Sequence, residues 1–324
     1  MPPITVASSI APSDTTTSTV IKPDPADQIR YGETELEMRT AVFASHTRPD
    51  GSTFDLSMDI QAPTSRGAMP LVVFIPGGGF IFAMKELASD LRTHVAYAGF
   101  VVASIQYRTV LNGAVYSDGI ADVKSAIRYL RAHAVEYSID PAHVAVWGES
   151  SGGYLAAMVG LTNGNQRFDV GEHLDQSSDV QAVVDKFGPS DLPNIAADFD
   201  RAAKLSRDGP DNPVAKYVNG PASGKSLSDD PAAVADANPL NYVSASAPPF
   251  LLFHGSADGL VSPSQTLVLH EALRAAGANT SRYVLQDAGH GDMTLLSNSI
   301  SGKPWSTNEV MDLIVSFLAK NLDR

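Results

Sequence analysis

The sequence predicts an α/β fold in which a mostly parallel sheet carries helices on both faces. Short apolar runs of strand length alternate along the chain with longer segments of helical character. Several of these runs end in turns rich in glycine or acidic residues, and the carboxyl ends of parallel strands are where such sheets bind ligands. A length of 324 residues fits one α/β domain with an insertion better than two complete domains.

The composition is that of a globular protein with an acidic surface. Hydrophobic residues make up 44% of the chain, and 36 acidic against 23 basic side chains give a formal net charge of −13. This charge disfavours binding to nucleic acid or to anionic membranes. The absence of cysteine excludes disulfides and thiolate chemistry.

Targeting signals are weak in this sequence. No apolar run reaches the length of a membrane span, and the first residues lack the basic and apolar regions of a signal peptide. We therefore expect a cytoplasmic protein without a membrane span, with secretion left open. The sequence is compatible with a monomer or a homodimer.

The amino-terminal part divides into an arm and a hairpin. Residues 1–30 are rich in Ser, Thr, Pro and Asp, which predicts a flexible arm, either free or part of a cap over the site. Residues 31–324 are predicted to form the single domain. Segments 35–46 and 53–60 alternate apolar and polar residues around a Pro-Asp-Gly turn, which predicts a β-hairpin with one solvated face.

A buried strand at 71–75 leads into a run of three glycines, Pro76-Gly77-Gly78-Gly79-Phe80. Glycine lets backbone N–H groups turn towards a ligand without a side chain in the way. A helix at 86–98, a strand at 100–105 and an amphipathic helix at 118–136 are predicted to follow. The glycine run thus lies at the carboxyl end of a predicted parallel strand, where an oxyanion hole is placed in hydrolytic enzymes.

The most informative stretch is WGESSGG at 147–153, which reads G-x-S-x-G. An apolar strand at 143–147 precedes it, and an Ala- and Leu-rich helix follows it, which is the context of a nucleophile elbow. Such an elbow holds Ser150 in strained backbone geometry and brings Gly148 and Gly152 close together. Ser150 is therefore the predicted nucleophile.

The carboxyl-terminal half repeats the alternation after an interruption. A strand at 180–187 precedes a segment at about 190–247 that is rich in Asp, Pro, Ala, Ser and Gly, with no sustained period, and we interpret this segment as a cap insertion. The remaining predicted elements are a strand at 250–253, a helix at 264–275, a strand at 282–285 and a helix at 309–322.

A serine hydroxyl becomes an effective nucleophile only when a base removes its proton and an acid orients that base. Among the eight histidines, His290 is the strongest candidate for the base, because it lies in a glycine-flanked loop after the last predicted strand. The alternative is His254, which lies at a strand end just ahead of the predicted acid. That position favours a structural role for His254.

Asp258 is the predicted acid. It follows a strand and falls between the serine and the histidine, which is the chain order expected for this architecture. Glu149 is adjacent to the nucleophile, but its side chain should point away across the turn. Asp287 and Asp292 lie too close to the histidine in sequence to orient it easily.

Together these residues resemble the α/β-hydrolases, and within them the hormone-sensitive-lipase-like and feruloyl-esterase-like serine esterases. The resemblance covers about residues 70–320 and implies a mostly parallel sheet of eight strands with a small cap. The matching motifs are PGGGF (76–80), the Tyr107-Arg108 pair, DVKSAIRYLRAHA (122–134), WGESSGG (147–153), VVDKFGPSDL (183–192), FHGSADGLVSPSQ (253–265) and AGHG (288–291).

The same resemblance assigns the oxyanion hole to the N–H groups of Gly78, Gly79 and Ser151. Relatives commonly carry His at the position of Pro76, so the hydrogen bonds that brace this loop must differ here. The expected activity is hydrolysis of short- to medium-chain carboxylic esters, with a small-molecule ester as the substrate.

Three alternatives use the same scaffold: an arylformamidase or amidase, an acyltransferase, and a non-catalytic binding protein. We expect no cofactor and no metal, because the chain has no cysteine, no H-E-x-x-H motif and no histidines at ligand spacing. Phe80, Ile81 and Phe82 are candidates for an acyl pocket, with core packing as the equal alternative.

Overall fold

The computed structural model describes residues 5–30, 35–48, 50–64, 67–291 and 303–324. Within these ranges the strands are β1 (Thr19–Ile21), β2 (Leu36–Thr47), β3 (Thr53–Pro63), β4 (Met69–Ile75), β5 (Val101–Ile105), β6 (Ile139–Glu149), β7 (Ala182–Lys186), β8 (Phe250–Gly255) and β9 (Thr280–Leu285). The helices are α1 (Ser89–Tyr97), α2 (Tyr116–Ala132), α3 (Ser151–Leu161), α4 (Arg201–Asp208), α5 (Pro213–Asn219), α6 (Pro231–Ala237), α7 (Ser264–Ala276) and α8 (Asn308–Asn321).

The strands form one sheet in the order β1-β9-β8-β7-β6-β4-β5-β3-β2. The seven strands that run from β1 to β5 in this spatial order pair in parallel. The β2–β3 hairpin adds two antiparallel strands next to β5, at one edge of the sheet. The predicted α/β class with a mostly parallel sheet is confirmed. Because all parallel strands point the same way, β4, β6 and β8 end at the same edge of the sheet, and β9 leads into the His290 loop there.

In the described part of the chain the sheet has nine strands, so the predicted number of eight is corrected. The additional strand is β1, which lies in the amino-terminal arm and pairs with β9, Val20 opposite Val284. The sequence around β1 is polar and gives no strand signal. An edge strand of three residues is held by backbone hydrogen bonds, which need no apolar pattern.

The sheet is buried on both faces, which explains the continuous apolar runs. In β4, Leu71, Val73 and Ile75 face a core shared with α2, α3 and α7. The alternate residues Val72 and Phe74 face a second core shared with α1 and α8. Helices on both sides therefore fix the strand ends that carry the candidate site.

Several element boundaries differ from the predictions, including the starts of α1 and β6. Helix α1 begins at Ser89, three residues later than the predicted start. Strand β6 begins at Ile139, whereas the predicted strand begins at residue 143. Ile139 and Asp140 pair with Met69 and Pro70 of β4 before the register shifts, so backbone pairing extends this strand beyond its apolar run.

Segment 190–247 contains the short helices α4, α5 and α6 together with 3₁₀ turns. The described part of the arm contacts this segment: the amide and hydroxyl of Ser8 donate to the Asp200 carboxylate at 2.7 and 2.9 Å. Farther along, Thr17 accepts a hydrogen bond from His270 of α7 at 3.0 Å. No helix among the described residues is long and apolar enough to cross a membrane.

Candidate active site

Ser150 lies at the sharp turn between β6 and α3, with φ 55° and ψ −120°. This backbone conformation is costly for a residue with a side chain. A Cβ on Gly148 would overlap the carbonyl of Gly152, and one on Gly152 would overlap the carbonyl of Ile75. The two glycines are thus required sterically, and the turn lifts the serine side chain out of the sheet edge.

A continuous chain of hydrogen bonds joins the three residues predicted as nucleophile, base and acid. His290 Nε2 lies 2.8 Å from Ser150 Oγ, and His290 Nδ1 lies 2.7 Å from Asp258 Oδ2. Residues separated by up to 140 positions in the chain meet here because they follow strand ends at one edge of the sheet. With a proton on Nδ1, the ring presents Nε2 to the serine as an acceptor.

The carboxylate of Asp258 is fully buried and well supplied with donors. Its Oδ1 accepts the amides of Leu260 and Val261 at 2.9 and 3.0 Å. Burial alone would raise the pKa of Asp258, but the charge of His290 and the hydrogen bonds from His254 and His290 outweigh it and hold the pKa below its usual range. The side chain therefore stays ionised beside the imidazole.

His254 is not near Ser150; it supports Asp258. Its Nε2 lies 3.2 Å from Asp258 Oδ2 and 3.1 Å from the carbonyl of Val261, and its Nδ1 lies 3.0 Å from the Thr266 hydroxyl. A carbonyl can only accept, so the ring proton is on Nε2. Burial lowers the pKa of His254 and favours this neutral form.

The other acidic candidates lie elsewhere. Glu149 Oε1 pairs with Lys186 Nζ at 2.6 Å. Asp287 is exposed and lies 3.8 Å from Lys22. Asp292 is outside the described residues.

The glycine loop packs directly on the elbow. A Cβ placed on Gly77 would lie 3.2 Å from the Ser150 Cβ and 3.0 Å from the Glu149 carbonyl oxygen. Gly79 has a φ of 61°, which glycine adopts without strain. Within the described ranges, the amides of Gly78, Gly79 and Ser151 have no hydrogen-bond acceptor. Three donors close to the serine are therefore available to a ligand.

Tyr107 lies beside the glycine loop and contacts both Pro76 and Ser151, a role that its place in the Tyr107-Arg108 motif does not reveal. Its hydroxyl donates to the Pro76 carbonyl at 2.9 Å and lies 3.1 Å from Ser151 Oγ. The only sequence signal was the Tyr-Arg pair after β5, together with the unusual Pro76. The next residue, Arg108, forms a bidentate ion pair with Asp122 of α2.

A second group missed by the sequence lies beneath the elbow. The Lys186 ammonium, which pairs with Glu149, lies 5.1 Å from the Trp305 ring and 5.7 Å from the Phe187 ring. Phe187 in turn contacts the His290 ring at a centroid distance of 4.5 Å. The Lys186 carbonyl accepts the Ser150 amide at 2.9 Å, so this group contacts both the nucleophile and the base.

The three candidate acyl-pocket residues differ in their exposure to solvent. Phe80 is only 3% exposed and packs between Tyr154 and Tyr217. Ile81 is partly buried, and Phe82 is 37% exposed.

A cavity of about 840 Å³ lies within segment 190–247, and none of Ser150, Asp258 and His290 lines it. Across the described residues, no group of three or more His, Cys, Asp or Glu side chains could hold a metal ion.

The chain is similar to known esterases. The BD-FAE family model matches residues 58–273. Esterase LipC of Mycobacterium tuberculosis is 30% identical over 68% of this chain and 53% of its own length. The probable isoprenylcysteine alpha-carbonyl methylesterase ICMEL1 of Arabidopsis thaliana is 26% identical over 82% of this chain and 56% of its own. The chain thus spans about half the length of the curated relatives it matches.

Solved structures share the fold. A truncated carbohydrate esterase from gut microbiota superposes with a TM-score of 0.74 at 26% identity, covering 91% of this chain and 99% of that one. Thermogutta terrifontis esterase 2 with bound propionate has a TM-score of 0.64 at 22% identity, covering 89% of this chain and 94% of that one. The sheet order, the elbow and the family match lead to one conclusion: this chain belongs to the BD-FAE family and has the α/β-hydrolase fold.

Proposed function

We propose that this protein is a serine carboxylic-ester hydrolase that acts through an acyl-enzyme on short- to medium-chain esters. The observation that carries the proposal is the hydrogen-bond chain from Ser150 through His290 to Asp258, at 2.8 and 2.7 Å, ending on a strained elbow. The names of the relatives, which are esterases in M. tuberculosis and methylesterases in A. thaliana, support the same reaction class.

In the first half-reaction, His290 Nε2 takes the proton of Ser150 as Oγ attacks the ester carbonyl carbon. Asp258 holds the imidazole by its Nδ1–H and stabilises the imidazolium that forms. The carbonyl oxygen becomes an oxyanion and accepts hydrogen bonds from the amides of Gly78, Gly79 and Ser151. Each such donor contributes about 3 kcal/mol to stabilising the transition state.

The tetrahedral intermediate then collapses by breaking the bond to the alcohol oxygen, and His290 gives its proton to that oxygen. The alcohol leaves, and the acyl group remains on Ser150 Oγ. In the second half-reaction a water molecule gives a proton to His290 and attacks the acyl carbon, and the carboxylic acid is released as Ser150 regains its proton.

The proposed substrate is a small ester whose acyl chain is bordered by Ile81 and Phe82. Phe80 supports this loop from the core side, since it is stacked on Tyr217 at a centroid distance of 4.6 Å. The propionate bound to a structural relative and the methyl esters named for the plant relatives are both small groups, which supports the shorter end of the range.

The test is hydrolysis of p-nitrophenyl esters from acetate to palmitate. Ser150→Ala should lower kcat by on the order of 10⁴-fold or more, because it removes the hydroxyl that lies 2.8 Å from His290 Nε2. Ser125→Ala removes a hydroxyl buried in helix α2 and should retain full turnover. Turnover that persists in Ser150→Ala would contradict the proposal.

The same assay separates the alternatives. Faster hydrolysis of formanilide than of any ester would indicate an arylformamidase or amidase. Transfer of the acyl group to an added alcohol in preference to water would indicate an acyltransferase. A folded wild-type protein that is inert towards every probe would indicate a binding protein.

A further inference from the structure

The loop that carries two of the three free amides is braced from one short neighbouring segment. This segment, residues 107–110, follows β5 and lies beside the glycine loop, residues 76–82. Thr109 Oγ1 donates to the carbonyl of Ile81 at 2.8 Å, and the Val110 amide donates to the carbonyl of Phe80 at 2.9 Å. These two bonds hold the far half of the glycine loop.

The near half of the glycine loop is held by Tyr107. Its hydroxyl donates to the carbonyl of Pro76, which belongs to the peptide group immediately before the Gly77–Gly78 peptide. The same hydroxyl lies 3.1 Å from Ser151 Oγ, on the first residue of α3. One phenol therefore joins the end of β4 to the start of α3, and those two places supply the opposite sides of the proposed oxyanion hole.

The direction of these hydrogen bonds follows from the acceptors. Tyr107 has one proton, and the Pro76 carbonyl can only accept, so that proton points to Pro76. Ser151 Oγ–H must then donate to Tyr107 Oη. Tyr107 is 2% exposed and Ser151 1%, so both bonds are shielded from water. Burial also raises the pKa of Tyr107 and keeps the phenol protonated throughout the working range of an esterase.

We propose that Tyr107 is a positioning residue that fixes the distance between the glycine amides and the Ser151 amide, and so sets the geometry of the oxyanion hole. The proposal rests on the esterase function proposed above. Proline at position 76 has no side-chain donor to brace the loop, and the Tyr107 hydroxyl provides a brace from the neighbouring strand end. Oxyanion stabilisation depends on donors that are already in place when charge develops.

The test compares Tyr107→Phe with two matched variants. Tyr107→Phe keeps the ring and removes both hydrogen bonds. Thr109→Val removes the bond of 2.8 Å to the far half of the same loop, away from the amides, together with the 3.2 Å contact between the Thr109 hydroxyl and Asn112 Oδ1. Tyr137→Phe removes the hydroxyl of another buried tyrosine, near the carboxyl end of α2, and should leave activity unchanged.

We expect Tyr107→Phe to lower kcat for p-nitrophenyl butyrate about 10-fold with KM within twofold, less than the roughly 10²–10³-fold cost of deleting a donor outright. Inhibition by phenylboronic acid, which forms a tetrahedral adduct with the serine, should weaken by the same factor. Ser151→Ala breaks only the Tyr107–Ser151 bond. Its fall in kcat should be about a third of the fall in Tyr107→Phe, that is about threefold. Thr109→Val should lower thermal stability with a smaller change in kcat.

Unchanged kcat and unchanged boronic acid inhibition in folded Tyr107→Phe would overturn the proposal. An equal fall in kcat for Thr109→Val would overturn it as well, because the role would then be general support of the loop. If Tyr107→Phe does not fold, Ser151→Ala tests the Tyr107–Ser151 bond alone, and an unchanged kcat with unchanged boronic acid inhibition in that variant would overturn the proposal.

Hydrogen–deuterium exchange of peptides covering 76–82 gives a readout that does not depend on turnover. Tyr107→Phe should exchange faster there than the wild type, and equal exchange would contradict the brace. A wild-type protein that hydrolyses no ester would refute the proposed function, while this exchange experiment would still decide the role of Tyr107.

Discussion

Two fully buried carboxylates on neighbouring strands of the same sheet have pKa values shifted in opposite directions. Asp258 follows β8 and has two backbone amides and two histidines around it. Asp185 lies in β7, where its Oδ1 accepts the Gly188 amide at 2.8 Å, while its Oδ2 has no partner among the described residues. Burial raises the pKa of Asp185 to about 7, against a smaller opposing effect of the Gly188 amide.

The difference shows that the partners of a buried carboxylate decide the direction of its pKa shift. Desolvation raises the pKa of both groups, and only Asp258 has the neighbouring charge of His290 and enough donors to reverse that effect. Asp185 instead packs against Gly153 and Gly188, and a Cβ atom on either glycine would overlap Asp185 Oδ1. A neutral acid can be buried there as a packing group, whereas the proposed catalytic acid must remain an anion.

The largest effect is expected where the anion itself is removed. Asp258→Asn should lower kcat by about 10⁴-fold, because an amide cannot hold His290 in the tautomer that accepts the serine proton. The measurement is kcat on p-nitrophenyl butyrate, with circular dichroism as the check on folding. A folded variant within tenfold of the wild type would show that Asp258 is not the orienting acid.

A smaller fall in kcat is expected when Asp258 loses one of its hydrogen-bond donors. This loss makes its surroundings more like those of Asp185, which has fewer donors. His254→Leu removes the imidazole that lies 3.2 Å from Asp258 Oδ2, and we expect kcat to fall about 10-fold, within the range of a lost charge-assisted hydrogen bond. His254→Gln keeps an N–H donor at this place and should retain most of the activity. Equal losses in the two variants would indicate that packing, and not the hydrogen bond, is what His254 provides.

The smallest effect on catalysis, and a clear one on stability, is expected for Asp185→Asn. The pKa of Asp185 is raised on folding from an ordinary 3.8 to about 7, so the native state binds more protons than the unfolded state between these values. The free energy of unfolding of the wild type should therefore fall as pH rises through this window and level off above about pH 7. Asp185→Asn removes this contribution, so the stability of the wild type relative to the variant should decrease between pH 5 and pH 8.

The measurement is urea unfolding of both proteins across that pH range. Asp90→Asn, at an exposed aspartate in the first turn of α1, is the control and should have the same pH dependence as the wild type. If Asp185→Asn also follows the wild type, Asp185 does not titrate as its surroundings indicate.

Much of this architecture was predictable because it depends on local patterns. Buried strands such as β4 and β8 are continuous apolar runs, and G-x-S-x-G between a strand and a helix specifies a turn that only glycine neighbours permit. Asp258 and His290 could be selected because they follow strands that had to end at one edge of the sheet. In the structure, Asp258 lies within hydrogen-bond distance of His290, and His290 lies within hydrogen-bond distance of Ser150.

Other features depend on contacts between distant segments, and no local pattern encodes them. Strand β1 is polar and short, and only its pairing with β9 makes it a strand. The role of Tyr107 depends on three strand ends meeting, and the donors around Asp258 include a histidine that the sequence presents as a rival base. The raised pKa of Asp185 follows from complete burial with a single donor among the described residues, which a sequence cannot display.

The central claim is that Ser150 is the nucleophile activated by His290, and covalent labelling tests it most directly. The protein would be treated with paraoxon, and the adduct counted by intact mass and located by peptide mass spectrometry. We predict one diethylphosphoryl group per chain, on Ser150, formed at a rate that falls at least 100-fold in His290→Ala, in line with the loss of a general base. No adduct on a folded protein, or an adduct on another residue, would contradict the account.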